Sequence, residues 1–262
     1  MIILITGSNG FLGRHFVKLF YTSNYTVIGC DVNHSPHPEL FNLHNNNERF
    51  KYYQCDITDE EQVKCVFKAL DLEGIIPVHL INNAAVNPVV TNQGLFNSSR
   101  LESFTPEQFL FETSVSLVGS ILCSKYMYLY AKNYGNKSNI VNISSDLGLI
   151  APNQNLYSQP NLNEDQQSVK PVSYSVIKHA VHGLTKYLAT YSPSFIRANT
   201  LFPGGVFNDQ SQDFLDKLLP LIPMSRMANP TDLDGALLFL CSEQSRYMTG
   251  SSIVVDGGRS VW

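Results

Sequence analysis

The sequence predicts an α/β fold, a doubly wound parallel sheet with helices on both faces. Three observations carry that reading. Apolar runs of strand length alternate with helix-period segments along the whole chain. The first run leads directly into a glycine-rich turn that opens a helix. The composition is that of an ordinary globular chain, 262 residues of which 44% are hydrophobic and 15% charged. Such a length has material for one large core, and no stretch has a linker's composition, so one domain spanning residues 1–262 is expected.

The elements follow in order. Residues 1–5 form a continuous apolar run, as in a strand covered on both faces. Residues 11–21 place Phe11, Leu12, Phe16, Leu19 and Phe20 at helical spacing. A second strand over 25–31 ends on Asp31. Residues 59–70 read as a helix whose first turn holds Asp59, Glu60 and Glu61, the favourable end for acids. Residues 77–81 are a short strand ending at Asn82-Asn83-Ala84-Ala85, and a long helix is expected over 107–134. Strands over 139–144 and 196–201 flank a helix over 172–191. A helix over 232–241 and a strand over 252–255 complete the succession. Polar segments at 88–103 and 152–170, and the asparagine-rich stretch 42–47, read as surface loops.

Several classes are argued against. The net charge of −4 includes no basic stripe, which disfavours nucleic acid as a partner. Five dispersed cysteines (Cys30, Cys55, Cys65, Cys123 and Cys241) have neither disulfide nor zinc spacing and read as buried, reduced thiols. The opening residues lack the basic and small-residue signals of a secretory leader, and no apolar run approaches the ~20 residues needed to cross a bilayer. A cytoplasmic protein without a membrane partner is expected. His179 and His182 share a helix face, but no carboxylate or cysteine completes a metal site, so no metal is expected.

The first chemical signal is Thr6-Gly7-Ser8-Asn9-Gly10-Phe11-Leu12-Gly13, with a strand before it and a helix after it. Gly7 permits a tight turn, and Gly10 lets backbone approach a pyrophosphate. Gly13 allows close helix–strand packing, while the helix N-terminus supplies N–H donors and positive potential. Asp31 stands 18 positions after Gly13, where a carboxylate accepts hydrogen bonds from a ribose diol and repels a 2′-phosphate. No cation nearby offsets that repulsion. The pattern is that of a Rossmann-type fold and favours NAD over NADP.

The second signal is Tyr174-Ser175-Val176-Ile177-Lys178. One helical turn separates Tyr174 from Lys178, placing them on one face. A tyrosine holds its proton up to a pKa of about 10, and an adjacent ammonium favours the tyrosinate. The pair opens a helix that follows Asn142-Ile143-Ser144-Ser145 at a strand end.

Together these motifs resemble the short-chain dehydrogenase/reductase superfamily of compact, single-domain type. The glycine motif, Asn82-Asn83-Ala84-Ala85 and Asn142-Ile143-Ser144-Ser145 come first. Tyr174-x-x-x-Lys178, Pro203-Gly204 and Val255-Asp256-Gly257-Gly258 follow in that family's order. The resemblance implies an NAD(P)-dependent alcohol/ketone oxidoreductase with Tyr174 as general acid/base. It implies that Lys178 tunes Tyr174 and holds the nicotinamide ribose, while Ser145 hydrogen-bonds the substrate oxygen. The implied cofactor contacts are Gly7, Asn9, Gly10, Phe11, Leu12, Gly13, Asp31, Asp56 and Ile57 at the adenosine and pyrophosphate end. Asn83 and Ala84 are implied on the adenosine side, and Pro203, Gly204 and Val206 beside the nicotinamide. It also implies a homodimer or homotetramer, paired through the helices at 107–134 and 172–191, with Trp262 covered in the assembly.

Three departures stand out. The stretch Val115-Ser116-Leu117-Val118-Gly119 has Ser116 where the compact branch has an asparagine that props a relay water. The T-G-x-x-G-x-x-G form is usual in the larger nucleotide-sugar branch, whose extra substrate domain has no counterpart here. Ser145 and Tyr174 lie 29 positions apart, wider than usual, so the intervening loop is expected at the mouth of the site. Substrate loops are expected at about 86–103, 150–171 and 205–225. Ala151-Pro152-Asn153-Gln154-Asn155-Leu156-Tyr157, Val169-Lys170-Pro171-Val172-Ser173-Tyr174, Pro203-Gly204-Gly205-Val206-Phe207-Asn208 and Gly257-Gly258-Arg259-Ser260-Val261-Trp262 resemble one subgroup, the reductases found among bacterial flagellin-modification and nonulosonic (sialic-acid-like) sugar genes. That subgroup implies a carbohydrate substrate, a sugar or sugar phosphate. A cofactor-retaining nucleotide-sugar epimerase or dehydratase and a non-catalytic NAD-binding protein are the alternatives.

Overall fold

The computed structural model describes residues 1–46, 49–86 and 99–262. Seven parallel strands form a single sheet in the order β3-β2-β1-β4-β5-β6-β7. The strands are β1 (Ile2–Thr6), β2 (Thr26–Asp31), β3 (Phe50–Gln54), β4 (His79–Asn82), β5 (Ser138–Ile143), β6 (Ile196–Pro203) and β7 (Ser252–Val255). Strand order reverses between β1 and β4, and the crevice outside the carboxyl ends at such a switch point is where open α/β sheets bind ligands.

Burial explains the continuous apolar strands. Side chains alternate across the sheet, so neighbours on one strand enter opposite cores. Leu4, Ile28, Leu80 and Ile140 pack against α3 (Glu60–Leu72), α5 (Gly119–Tyr134) and α6 (Val172–Tyr191). Ile3, Ile5, Val27, Ile81 and Val141 pack on the other face against α1 (Phe11–Thr22) and α8 (Asp234–Leu240). Asp59 caps α3, its carboxylate accepting from Glu61 N and Gln62 N. A buried polar chain ties the sheet to α6. Asn82 Nδ2 donates to Asn142 Oδ1 at 2.8 Å, Asn142 Nδ2 to Thr185 Oγ1 at 2.8 Å, and Thr200 Oγ1 to Thr185 Oγ1 at 2.8 Å. In a low-dielectric interior these hydrogen bonds are strengthened, although Asn82 Oδ1 is left without a partner among the described residues.

The expected succession holds, with several differences. Stretch 42–47 is not a plain loop, because Phe41–Asn46 is a short helix, α2; its turns follow a 3₁₀ segment nucleated at Pro38, while residue 47 lies outside the described residues. Edge strand β3 was not anticipated, nor was α7 (Gln212–Leu218). The helix expected over 107–134 is α4 (Pro106–Thr113) and α5 joined by a π-helical turn at Ser114–Val118. Four cysteines are buried and all are free, but Cys65 is exposed on the solvent face of α3. No helix among the described residues is long and apolar enough to cross a membrane.

Candidate functional site

A cleft of about 730 Å³ opens at the carboxyl ends of β1, β2, β4, β5 and β6. Gly7, Asn9, Gly10, Phe11, Leu12, Asp31, Asp56, Ile57, Asn83, Ala84, Ser145, Tyr174, Lys178, Pro203, Gly204 and Val206 all line it. Gly13 does not. It supports the turn from behind, where a Cβ would stand 2.0 Å from Gly7 O. Gly7 itself has φ +63°, a left-handed conformation that glycine adopts without strain.

Local bonds set the shape of the nucleotide end. Asn83 Nδ2 donates to Thr6 O and Gly7 O, each at 3.1 Å, while Ala84 N donates to Thr6 Oγ1 at 3.1 Å. These two residues therefore buttress the glycine turn from the end of β4. Asp31 Oδ2 accepts from Asn9 N at 2.9 Å, and its Oδ1 accepts from Asn33 Nδ2 at 2.8 Å. Asp56 Oδ1 accepts from Thr58 N at 2.9 Å. Ile57 lies against α5 at Gly119, where a Cβ would stand 2.5 Å from Ile57 Cδ1. The first N–H groups of α1 have no intrahelical partner, and they open onto this end of the cleft. The glycines at both ends of the turn, the helix terminus and the carboxylate beside it fit a dinucleotide.

The other end gathers the polar groups of three segments. Tyr174 and Lys178 rise from the first turns of α6, and Ser145 follows β5. The Ser145 hydroxyl donates to Asp146 Oδ1 at 2.8 Å and accepts from Leu147 N at 3.2 Å. Lys178 Nζ donates to Ile143 O at 3.2 Å and stands 5.8 Å from the centre of the Tyr174 ring. Burial pushes the Lys178 ammonium down to about 8, and the charge of Lys170 adds to that effect. The expectation that Lys178 lowers the Tyr174 pKa is not met in the chain alone. Burial raises the phenol's pKa, the Ser145 hydroxyl opposes it, and the charge of Asp146 raises it further. Desolvation in this enclosed position outweighs an ammonium turned toward a backbone carbonyl.

Three further residues at this end escaped the sequence reading. Asp146 and Arg259, 3% and 8% exposed at their side chains, form a buried ion pair at 2.7 Å. Asp146 follows Ser145 directly, and Arg259 follows the last family motif directly, but 113 positions separate them and nothing signals the pairing. Lys170 lines the cleft with its ammonium 3.8 Å from the centre of the Tyr174 ring.

The wide Ser145–Tyr174 spacing has a clear structural outcome. The intervening segment contributes Pro152, Asn153, Leu156, Tyr157 and Lys170 to the cleft wall. Leu156 packs with Leu218, Ile222 and Met227, which ties the 150–171 segment to the 205–225 segment. Gly205, Asn208, Gln210 and Phe214 line the same end. Of the segment expected at 86–103, Val86 lines the cleft, while 87–98 lie outside the described residues. Within the 150–171 segment Asn163, Glu164 and Asp165 are exposed. Ser116 is buried in the π-helical turn and is not among the described cleft-lining residues. His179 and His182 contact Ser175 O and Thr200 Oγ1, and Arg226 pairs with Asp232.

Known proteins give the same picture. A family model described as short chain dehydrogenase matches residues 1–159, and one described as enoyl-(acyl carrier protein) reductase matches residues 164–260. The chain is 28% identical to 2,5-dichloro-2,5-cyclohexadiene-1,4-diol dehydrogenase of Sphingobium indicum, over 98% of this chain and 95% of that protein. It is likewise 28% identical to post-translational flagellin modification protein A of Campylobacter coli, over 98% and 97%. Among solved structures, a short chain dehydrogenase of Leptospira borgpetersenii with bound NAD+ superposes with a TM-score of 0.86 at 33% identity, covering 99% of this chain and 92% of that one. The seven-stranded sheet, the ordered motifs along it and these matches agree: the chain belongs to the short-chain dehydrogenase/reductase family of oxidoreductases.

Proposed function

We propose that this protein is an NAD-dependent oxidoreductase that interconverts an alcohol and a ketone on a sugar or sugar-phosphate-like substrate. The observation that carries the reading is the convergence of Tyr174, Ser145 and Lys178 at one end of a cleft whose other end is the glycine cradle. Tyr174 Oη takes the substrate's hydroxyl proton in oxidation and returns it in reduction, and Ser145 holds the reacting oxygen. NAD, when bound, supplies the hydride acceptor or donor. Lys178 holds the nicotinamide ribose and keeps a positive charge beside Tyr174. Asp31 accepts hydrogen bonds from the adenosine ribose, which favours NAD over NADP, and Pro203, Gly204 and Val206 flank the nicotinamide. The NAD+ bound to the Leptospira borgpetersenii relative supports the cofactor, and the flagellin-modification relative supports the subgroup to which the sequence motifs point.

The chain acts as one domain, with substrate loops at 150–171 and 205–225 and a third at 86–103. Exposed apolar residues along α4, α5 and α6, among them Phe111, Ile121, Val176 and Tyr187, support a homodimer or homotetramer paired through these helices. A cytoplasmic location suits this chemistry.

The test is NADH formation and consumption against sugars, sugar phosphates and nucleotide sugars, with NADP(H) alongside. Tyr174→Phe is expected to reduce turnover by at least the ~10²-fold usual for a general acid/base. Unchanged turnover would refute the role of Tyr174. Product formation without net NADH change would identify the epimerase instead, a reading favoured only by the glycine-motif form and the wide Ser145–Tyr174 spacing.

A further inference from the structure

We infer that Tyr157 is a specificity-determining residue of this site, its hydroxyl bonding a second substrate hydroxyl near the reacting one, so that a polyol is preferred to a lone alcohol. The inference rests on the proposed alcohol/ketone chemistry at Tyr174.

Tyr157 is held firmly at the cleft wall. It ends a 3₁₀ turn, Gln154–Tyr157, in the widened segment between Ser145 and Tyr174, the part of the chain that departs from the family's usual spacing. Asn153 caps that turn, its Oδ1 accepting from Asn155 N at 3.0 Å. Gln154 Oε1 accepts from Lys170 N at 2.7 Å, and Ser158 O accepts from Lys217 Nζ at 2.6 Å. Leu156 is buried against Leu218, Ile222 and Met227, and the Tyr157 ring meets the Phe214 ring at 5.9 Å between centres. Bonds and packing on every side of one short turn present its tyrosine in a fixed place, and a preorganised group binds without an ordering cost.

Place and chemistry decide what the phenol recognises. Tyr157 is half-buried and lines the cleft together with Asp146, Tyr174 and Arg259. Burial pushes its phenol up to about 12; the charge of Arg259 opposes that shift, and those of Tyr174 and Asp146 add to it. The phenol therefore sits at the reacting end and stays neutral, a group that both donates and accepts, as a substrate hydroxyl does. Other polar side chains here are engaged within the chain. Asp146 and Arg259 hold each other at 2.7 Å, Asn153 caps its turn, and Gln210 Oε1 accepts from Asn208 N at 2.7 Å. The Tyr157 hydroxyl makes no hydrogen bond to a described residue. A substrate hydroxyl relieves its desolvation, and an apolar substituent does not. Leu156, Phe214 and Leu218 line the same end and offer apolar surface to the C–H groups of that molecule. A polyol supplies both kinds of contact, whereas a lone alcohol leaves the phenol unpaired.

The test measures NAD+-linked oxidation of a series built on one ring: cyclohexanol, 1,2-cyclohexanediol and myo-inositol. The wild type is expected to show a higher kcat/KM for at least one of the two polyols than for cyclohexanol. In Tyr157→Phe, which keeps the ring against Phe214, that advantage is expected to fall by about 3- to 10-fold, the value of one neutral hydrogen bond. The loss should lie in KM with kcat near wild type, because the bond is made equally in the ground and transition states. Cyclohexanol turnover, NADH affinity and melting temperature should stay near wild type, whereas loss of a merely structural contact would move them. Cyclohexanol oxidised as well as both polyols, or an advantage untouched by Tyr157→Phe, overturns the inference and leaves the proposed oxidoreductase standing. Oxidation of a sugar with none of the three rings accepted does the same. No NAD-linked turnover of these rings or of any sugar overturns both.

Discussion

Replacing Asp31 by asparagine removes a charge from the end of β2 while keeping the shape of the side chain. The carboxylate is 9% exposed and is fixed by Asn9 N at 2.9 Å and by Asn33 N and Nδ2 at 3.2 and 2.8 Å. It therefore cannot swing away from a ligand placed against it. A 2′-phosphate about 4 Å away would meet a repulsion of about 1 kcal/mol per unit charge in bulk water and about 4 kcal/mol at the effective dielectric of a protein surface. The phosphate carries about −1.5 to −2 charges, and an open cleft screens part of the effect. A discrimination of at least about 10-fold against NADPH is the conservative result. The ribose diol of NADH meanwhile loses a charge-assisted acceptor for a neutral one, a difference of about 1 kcal/mol. Fluorescence titration of NADH and NADPH should show the ratio of their dissociation constants moving toward NADPH by about 10-fold or more in Asp31→Asn. The shift should shrink at high ionic strength, as screening requires. A ratio unchanged by the substitution, or a wild type that already prefers NADPH, refutes the reasoning.

Two further outcomes follow from the geometry. Gly13→Ala forces a Cβ to within 2.0 Å of Gly7 O; overpacking of this kind costs about 1–3 kcal/mol or more, so both the urea midpoint and NADH affinity should fall, and a variant equal to wild type in both would remove the packing role of Gly13. His79 is 7% exposed, and burial, with the nearby Arg197 charge, holds its pKa down to about 4 from 6.5. Between these values the unfolded chain binds the proton and the folded chain does not, so stability is lost as pH falls from 6.5 through 4. At about 1.4 kcal/mol per pKa unit the loss is about 3 kcal/mol. Urea unfolding at pH 7 and near pH 4.5 should show a smaller loss in His79→Gln than in wild type; equal losses would place the acid sensitivity elsewhere.

Much of this molecule was legible because its signals are local. The buried parallel strands read as unbroken apolar runs, and a glycine turn between a strand and a helix has one geometry to adopt. Tyr174 and Lys178 are joined by helical spacing alone. Strand β3 was missed because Phe50-Lys51-Tyr52-Tyr53-Gln54 is a half-buried edge strand whose alternation is blurred by consecutive tyrosines. Its assignment comes from pairing with β2, a non-local contact. The same limit hid the chemistry around Ser145. Asp146 and Arg259 are recognisable as partners only once β7 lies beside β6. Lys170 is one lysine in a polar segment until the fold sets it over Tyr174. The lowered tyrosine pKa failed as an expectation because spacing reports proximity along a helix but not which way an ammonium turns or how dry its surroundings are.

The buried pair between Asp146 and Arg259 also sets an order of completion. In a chain that emerges from its N-terminal end, the glycine turn, Asp31 and Asp56 are available long before Arg259. Until the segment after β7 docks, Asp146 lacks the Arg259 guanidinium that pairs with it at 2.7 Å, and breaking a buried pair is destabilising by about 3–5 kcal/mol. The neighbourhood of Ser145 therefore cannot close over a dry interior early. The nucleotide cradle and the reacting end belong to different moments of assembly, because the cation that neutralises Asp146 lies 113 positions further along the chain.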